Sequence, residues 1–165
     1  MKFAVKTFRA VTLGALASTI FAVTTASAQV PQYGTSINLD TARKVMVAAV
    51  AESRKNGWPM AIAIVDNAGQ LVAYERMDNT QTASVHVAVE KAVSSATYRR
   101  STKVFQDAVA GGGMGIRILG LPGAVPIEGG LVLMQDGKIV GAIGVSGMAS
   151  DQDGVVAKAG VDAIK

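Results

Sequence analysis

The dipeptide Asp136-Gly137 separates two apolar runs, Leu131 to Gln135 and Lys138 to Val145. The type I′ two-residue hairpin loop needs positive φ at both positions, and Asp-Gly adopts it at little cost. The two runs are therefore read as antiparallel neighbours in one sheet. A second hairpin is predicted from Met60 to Asp66 and Leu71 to Met77, which flank the turn residues Asp66-Asn67-Ala68-Gly69. Two hairpins commit the chain to an antiparallel sheet, and the apolar faces of that sheet need covering layers.

Helices supply those layers. Leu39, Ala42, Val45, Met46, Ala49 and Val50 recur at helical spacing behind Asn38, an N-cap residue, and Gly57 with Pro59 stops the run. Thr82 is placed to cap a second helix running to about Arg99. Ser101 or Thr102 can cap a short third helix that stops at Gly111. Ser150 with Asp153 resembles a capping box for a last helix lined by Val155, Val156, Ala159 and Ile164. Residues 111–130 are rich in Gly and Pro and read as a long ordered loop, a feature more often functional than a short connection. The order is α, hairpin, α, α, loop, hairpin, α. It implies a single α+β domain over residues 38–165, with residues 29–37 as a flexible lead.

Residues 1–28 have the three parts of a cleavable secretory signal. Lys2, Lys6 and Arg9 form a positive start, Ala10 to Val23 carry no charge, and Ala26-Ser27-Ala28 places cleavage before Gln29. The apolar stretch, Ala10 to Val23, is about 14 residues long and short of the roughly 20 that span a bilayer, so no membrane span is expected after cleavage. The expected location is periplasmic or secreted. The signal holds three of the 16 basic residues and none of the 12 acidic ones, which leaves a net charge of +1. With no basic run longer than a pair such as Arg99-Arg100 and few aromatic residues, nucleic acid is not an expected partner. There is no cysteine, which excludes disulfides, thiolate metal sites and a cysteine nucleophile.

His86 is the one histidine. A neutral imidazole can ligate haem iron or another metal, or move a proton. Glu90 lies four residues on, on the same helical face. Equally, His86 can be an ordinary packed or surface histidine bonded to Glu90. Gly111 to Gly115 lacks the Lys-Ser/Thr and the preceding strand of a phosphate loop, and reads as a helix stop. Glu128-Gly129-Gly130 is open to two readings. Its glycines allow a ligand to approach the backbone, with Glu128 as acceptor or base, or they form a tight turn. Arg76 can clamp a carboxylate or pair with Asp78 at the surface. Arg99 and Arg100 suit the C-terminal end of a helix, and would also attract haem propionates. Ser146 does not sit in a nucleophile elbow, and His86 is the only base a triad could use.

The segments Ala63 to Ala73, Glu75-Arg76-Met77-Asp78, Glu90-Lys91-Ala92, Arg99 to Thr102, Val125 to Gly130 and Lys138 to Gly147 with Asp151 to Asp153 resemble, in this order, the GlcG/HbpS-type haem-binding, or haem-degrading, domain family. The resemblance covers nearly all of residues 39–165. It implies a profilin-like three-layer α/β/α fold on a five-stranded antiparallel sheet. The fifth strand would then lie around residues 115–119 or 123–127. It implies homo-oligomers and, in exported members, haem as a cofactor for capture, buffering or sensing. In some haem-binding members the axial histidine lies in the first helix, and here Leu39 to Asn56 contains none. The resemblance then points the iron to His86, to Tyr33, Tyr74 or Tyr98, to a methionine, or to no strong side chain. Of these His86 is the expected ligand. Glu90, Arg76, Arg99, Glu128, Gly129 and Gly130 are the other expected binding residues. The competing expectation is a small-molecule-binding protein or catabolic enzyme without haem, using the Glu128-Gly129-Gly130 loop with Arg76 or Lys91.

Overall fold

The computed structural model of this chain describes Met1 and residues 30–165. The expected secretory signal, residues 1–28, lies outside the described residues except for Met1. The element order is α1 (Leu39–Asn56), β1 (Ala61–Asp66), β2 (Leu71–Arg76), α2 (Ser84–Tyr98), α3 (Thr102–Ala110), a 3₁₀ helix η1 (Gly113–Gly120), β3 (Gly130–Gln135), β4 (Lys138–Ser146) and α4 (Ser150–Asp162).

Both hairpins form. Asp136 and Gly137 take φ of 49° and 72°, and Gln135 pairs with Lys138 across them. In the first turn, Asp66 Oδ1 accepts hydrogen bonds from the backbone N–H groups of Ala68 and Gln70, each at 2.9 Å. The hairpins join through antiparallel pairing of β1 with β4, giving the order β2-β1-β4-β3. β1 is central and covered on both faces, so Ala61 to Val65 are all fully buried.

The three layers follow from strand alternation. Ile62, Ile64, Ile143 and Val145 point to α1 and α4 and form the larger core with Val45, Ala49 and Val156. Ala61, Ala63, Val65 and Ala142 point to α2 and meet Ala88, Ala92 and Ala96. This second interface is made almost wholly of small residues. A Cβ on Gly144 would stand 2.0 Å from the Ala88 carbonyl oxygen, so α2 lies directly on the backbone of β4.

Among the described residues the sheet has four strands, not the five expected. Residues 113–120 close local turns instead, with Gly115 N–H donating to Gly112 O and Leu121 N–H to Ile118 O. With its hydrogen bonds met locally, η1 packs on α3 and leaves the sheet edge alone. The lead expected to be flexible is held from Gln32. Gly34 N–H donates to Ile139 O and Ile139 N–H to Gln32 O, both at 2.8 Å, along the part of β4 that β1 does not reach. Asn67 Nδ2 reinforces this by donating to Gly34 O at 2.6 Å.

Asn38 caps α1 through Thr41 N–H, and Gly57 ends it in the left-handed region. Ser101 caps α3. Two caps differ from expectation. α2 starts at Ser84 behind Ala83, with no side-chain cap from Thr82. At α4 the N-cap is Ala149, whose N–H donates to Gln152 Oε1, because Asp153 is turned inward. The buried stripe of α4 is accordingly Asp153, Val156, Ala157 and Gly160, and Val155 is exposed.

Candidate functional site

The loop Glu128-Gly129-Gly130 runs into β3 against α2, α3 and α4. Gly129 takes φ of 126°, which glycine adopts freely. Its carbonyl accepts from Val145 N–H at 2.9 Å, and Gly130 N–H donates to Thr102 Oγ1 at 2.9 Å. A Cβ on Gly129 would stand 2.9 Å from Lys91 Nζ, and one on Gly130 2.5 Å from Lys91 O. The close approach these glycines permit is therefore made by the protein itself. Glu128 N–H donates to Gln106 Oε1, and the Glu128 side chain lies along Gly154.

Beneath the loop lies an ion pair that the sequence did not announce. Lys91 Nζ sits 2.7 Å from Asp153 Oδ2 and donates to Val145 O at 3.0 Å. Their side chains are 1% and 3% exposed. Burial pushes the Asp153 carboxyl above the usual carboxylate range. The Lys91 ammonium and the N–H groups of Met148 and Gly147 pull it back in part. A Schiff-base or basic lysine needs a free, reachable amine. Lys91 has neither property, and it ties α2 to β4 and α4. The signal that could have revealed the pair is a charge on each helix's core stripe: Lys91 among Ala88, Ala92 and Ser95, and Asp153 ahead of Val156 and Ala157.

His86 and Glu90 are exposed, one turn apart on the outer face of α2. At Glu90 a groove of about 320 Å³ runs between α2 and the loop at residues 123–125, and His86 stands one turn away without lining it. Its walls are Val89, Val93, Ala124 and Val125, and Glu90 stands on its rim. The loop is held there by Val125 N–H donating to Ser94 Oγ at 3.0 Å and by Tyr98 Oη donating to Pro122 O at 2.6 Å. Val89 and Val93 also pack with Tyr74 of β2 against the alanine core. The Tyr74 hydroxyl is buried without a hydrogen-bond partner, and burial raises its pKa.

The other candidates fall elsewhere. Arg76 is exposed at the end of β2 and does not line the groove. Arg99 closes α2 in the left-handed region, with its guanidinium 5.5 Å from the centre of the Tyr33 ring. Ser146 is buried and donates to Ser84 Oγ, away from any base. Among the described residues no three His, Asp or Glu side chains are grouped to hold a metal ion.

An antiparallel sheet covered by helices on both faces, with an apolar groove and an exposed imidazole one helical turn away, places the chain among small three-layer α+β domains. Within that class, residues 37–162 match the model of the HbpS-like family, described as haem degrading protein HbpS-like, and the chain belongs to that family. It is 37% identical over 105 residues to protein GlcG of Escherichia coli strain K12, a match covering 64% of this chain and 77% of GlcG. The structure is similar to that of an HbpS double mutant from Streptomyces reticuli, with a TM-score of 0.73 and 26% identity over 91% of this chain and 99% of that one. It is also similar to the structure of a PduOC:heme complex, with a TM-score of 0.71 and 26% identity over 79% and 96% of the two chains.

Proposed function

We propose that this protein binds haem in the groove beside α2, with His86 as the axial ligand. The observation that carries the reading is the exposed imidazole of the only histidine, one turn from an apolar groove floored by Val89 and Val93. The valine and alanine walls of the groove suit part of one apolar face of a porphyrin. Glu90 on the rim repels carboxylates, which favours keeping the propionates at the solvent edge. Membership of the HbpS-like family and the likeness to the PduOC:heme complex support haem as the ligand. Bound haem supplies an iron whose potential and open coordination positions are set by the axial residue and its surroundings. The chain's own part is to offer the imidazole and to shield one porphyrin face.

The role that fits is haem capture, buffering or sensing outside the cytoplasm by a homo-oligomer. Support for export comes from the positive, apolar and small-residue segments of residues 1–28. The test is a haemin titration followed at the Soret band, repeated with His86→Ala. A saturable complex whose Soret maximum moves in the variant is the expected result. No saturable complex in the unaltered protein rejects haem binding, and an unchanged spectrum in the variant rejects His86 as ligand. Export is checked by the amino-terminal residue of the protein recovered from its host, which should be Gln29. Light scattering during size exclusion checks the oligomer.

A further inference from the structure

A second groove lies between α3 and η1 and has a volume of about 320 Å³. Gly115 explains its form. A Cβ there would fall 1.8 Å from the Ala108 carbonyl oxygen, so the backbone of η1 is pressed onto α3. The floor between them is Phe105, Ala108 and Ile118, with Met114 standing on the wall and 74% exposed. Two cations border this apolar floor, Arg100 and Arg117. Among the described residues neither guanidinium meets a carboxylate. The nearest acid on α3, Asp107, is held by Lys103 at 2.7 Å. Arg100 is positioned by its Nε bond to Tyr98 O at 3.1 Å and by the Phe105 ring 5.6 Å below its guanidinium. Its terminal N–H groups have no partner among the described residues.

An exposed apolar slot flanked by two unpaired guanidinium groups is complementary to an acid with an apolar tail. We infer that the α3–η1 groove binds a small amphipathic monocarboxylate, its carboxylate between Arg100 and Arg117 and its tail along Phe105, Ala108, Met114 and Ile118. The volume is at the low end for small-ligand pockets, which suits a medium-chain or aryl-alkyl acid. The inference does not depend on haem binding, since the groove contains no imidazole and shares no residue with the groove beside His86.

Octanoate is the probe, titrated into the purified protein by calorimetry and by the methyl resonances of Met114 and Ile118. Octanol carries the same tail without charge, and acetate the charge without the tail. Octanoate should saturate and move both methyl groups. Octanol should bind at least tenfold more weakly, as expected for loss of a charge-assisted contact, and acetate should not saturate. Arg117→Gln and Arg100→Gln, both at exposed positions, should each weaken octanoate about tenfold. Ala108→Trp should abolish binding in a protein whose circular dichroism is unchanged. If it unfolds the chain, the two arginine variants still decide. Any of six results overturns the inference: no saturation by octanoate, unchanged octanoate affinity in both arginine variants, equal saturation by acetate, equal affinity for octanol, competitive displacement of octanoate by haemin, or concealment of Met114 in a dimer of this chain that octanoate does not perturb. His86→Ala should leave octanoate binding unchanged, which separates failure here from failure of the haem reading.

Discussion

Lys91→Met removes the ammonium but keeps most of the side chain's bulk, so it isolates the electrostatic part of the buried pair. What remains is an Asp153 carboxyl only 3% exposed. Removing one partner of such a pair costs about 3–5 kcal/mol, because the other charge is left uncompensated. At roughly 3–5 °C per kcal/mol for a domain of this size, Tm should fall by about 10 °C or more. The loss should depend on pH, with a defined sign. Burial already raises the Asp153 carboxyl, and Lys91 is the main influence pulling it back, so the variant raises it further. Between the unfolded carboxyl's pKa and the raised native value, the native state binds more protons, and stability falls as pH rises through that window. The deficit of Lys91→Met is therefore full above the variant's native pKa. It shrinks as pH falls through that value, where the carboxyl becomes neutral. Denaturant unfolding followed by circular dichroism at about pH 7 and about pH 4.5 measures both. The double variant Lys91→Met with Asp153→Leu should lose less than the sum of the two single variants, by about 2–3 kcal/mol. A loss below about 1 kcal/mol, or one equal at both pH values, refutes the reasoning.

Other substitutions test the packing and the turns. Gly144→Ala places a Cβ 2.0 Å from Ala88 O and should cost about 3 kcal/mol in denaturant unfolding by lifting α2 off β4. Gly137→Ala puts a side chain at φ 72° and should cost about 1 kcal/mol, read as a fall in Tm. Asn38→Ala removes the bond to Thr41 N–H at 2.8 Å and should cost about 1 kcal/mol by the same measurement. His86→Ala, at an exposed position, should change stability by no more than about 0.5 kcal/mol, so that any change in its haem spectrum reports ligation and not unfolding.

The parts of the fold that were legible in the sequence are those fixed by local chemistry. Asp136-Gly137 between two apolar runs favours positive φ twice in succession, as a tight hairpin requires, and Asn38 and Gly57 mark the two ends of α1 by side-chain and backbone bonds that close within a few residues. What was not legible depends on partners distant in the chain. Lys91 and Asp153 are 62 residues apart, and neither helix alone shows why it carries a charge on its core stripe. Gly115 has no unusual φ, and its need to be glycine comes only from the Ala108 carbonyl beneath it. The lead at residues 32–37 has no strand pattern and is ordered by an unused stretch of β4. For the candidate site, His86 with Glu90 on one helical face could be read from spacing. The apolar groove beside them could not, because its other wall comes from residues 123–125, placed by bonds to Ser94 and Tyr98. The Glu128-Gly129-Gly130 loop shows the converse. Its glycines signalled close approach correctly, but the approaching groups are Lys91, Val145 and Thr102 of the same chain.

The most direct test of the haem reading is the electron paramagnetic resonance spectrum of the protein loaded with one equivalent of ferric haemin, beside that of His86→Ala. The unaltered protein should give a stoichiometric complex with the signature of a nitrogen axial ligand, and the variant should lose that signature while remaining folded. A protein that takes up no haemin would contradict haem binding, and identical spectra from the two proteins would contradict ligation by His86.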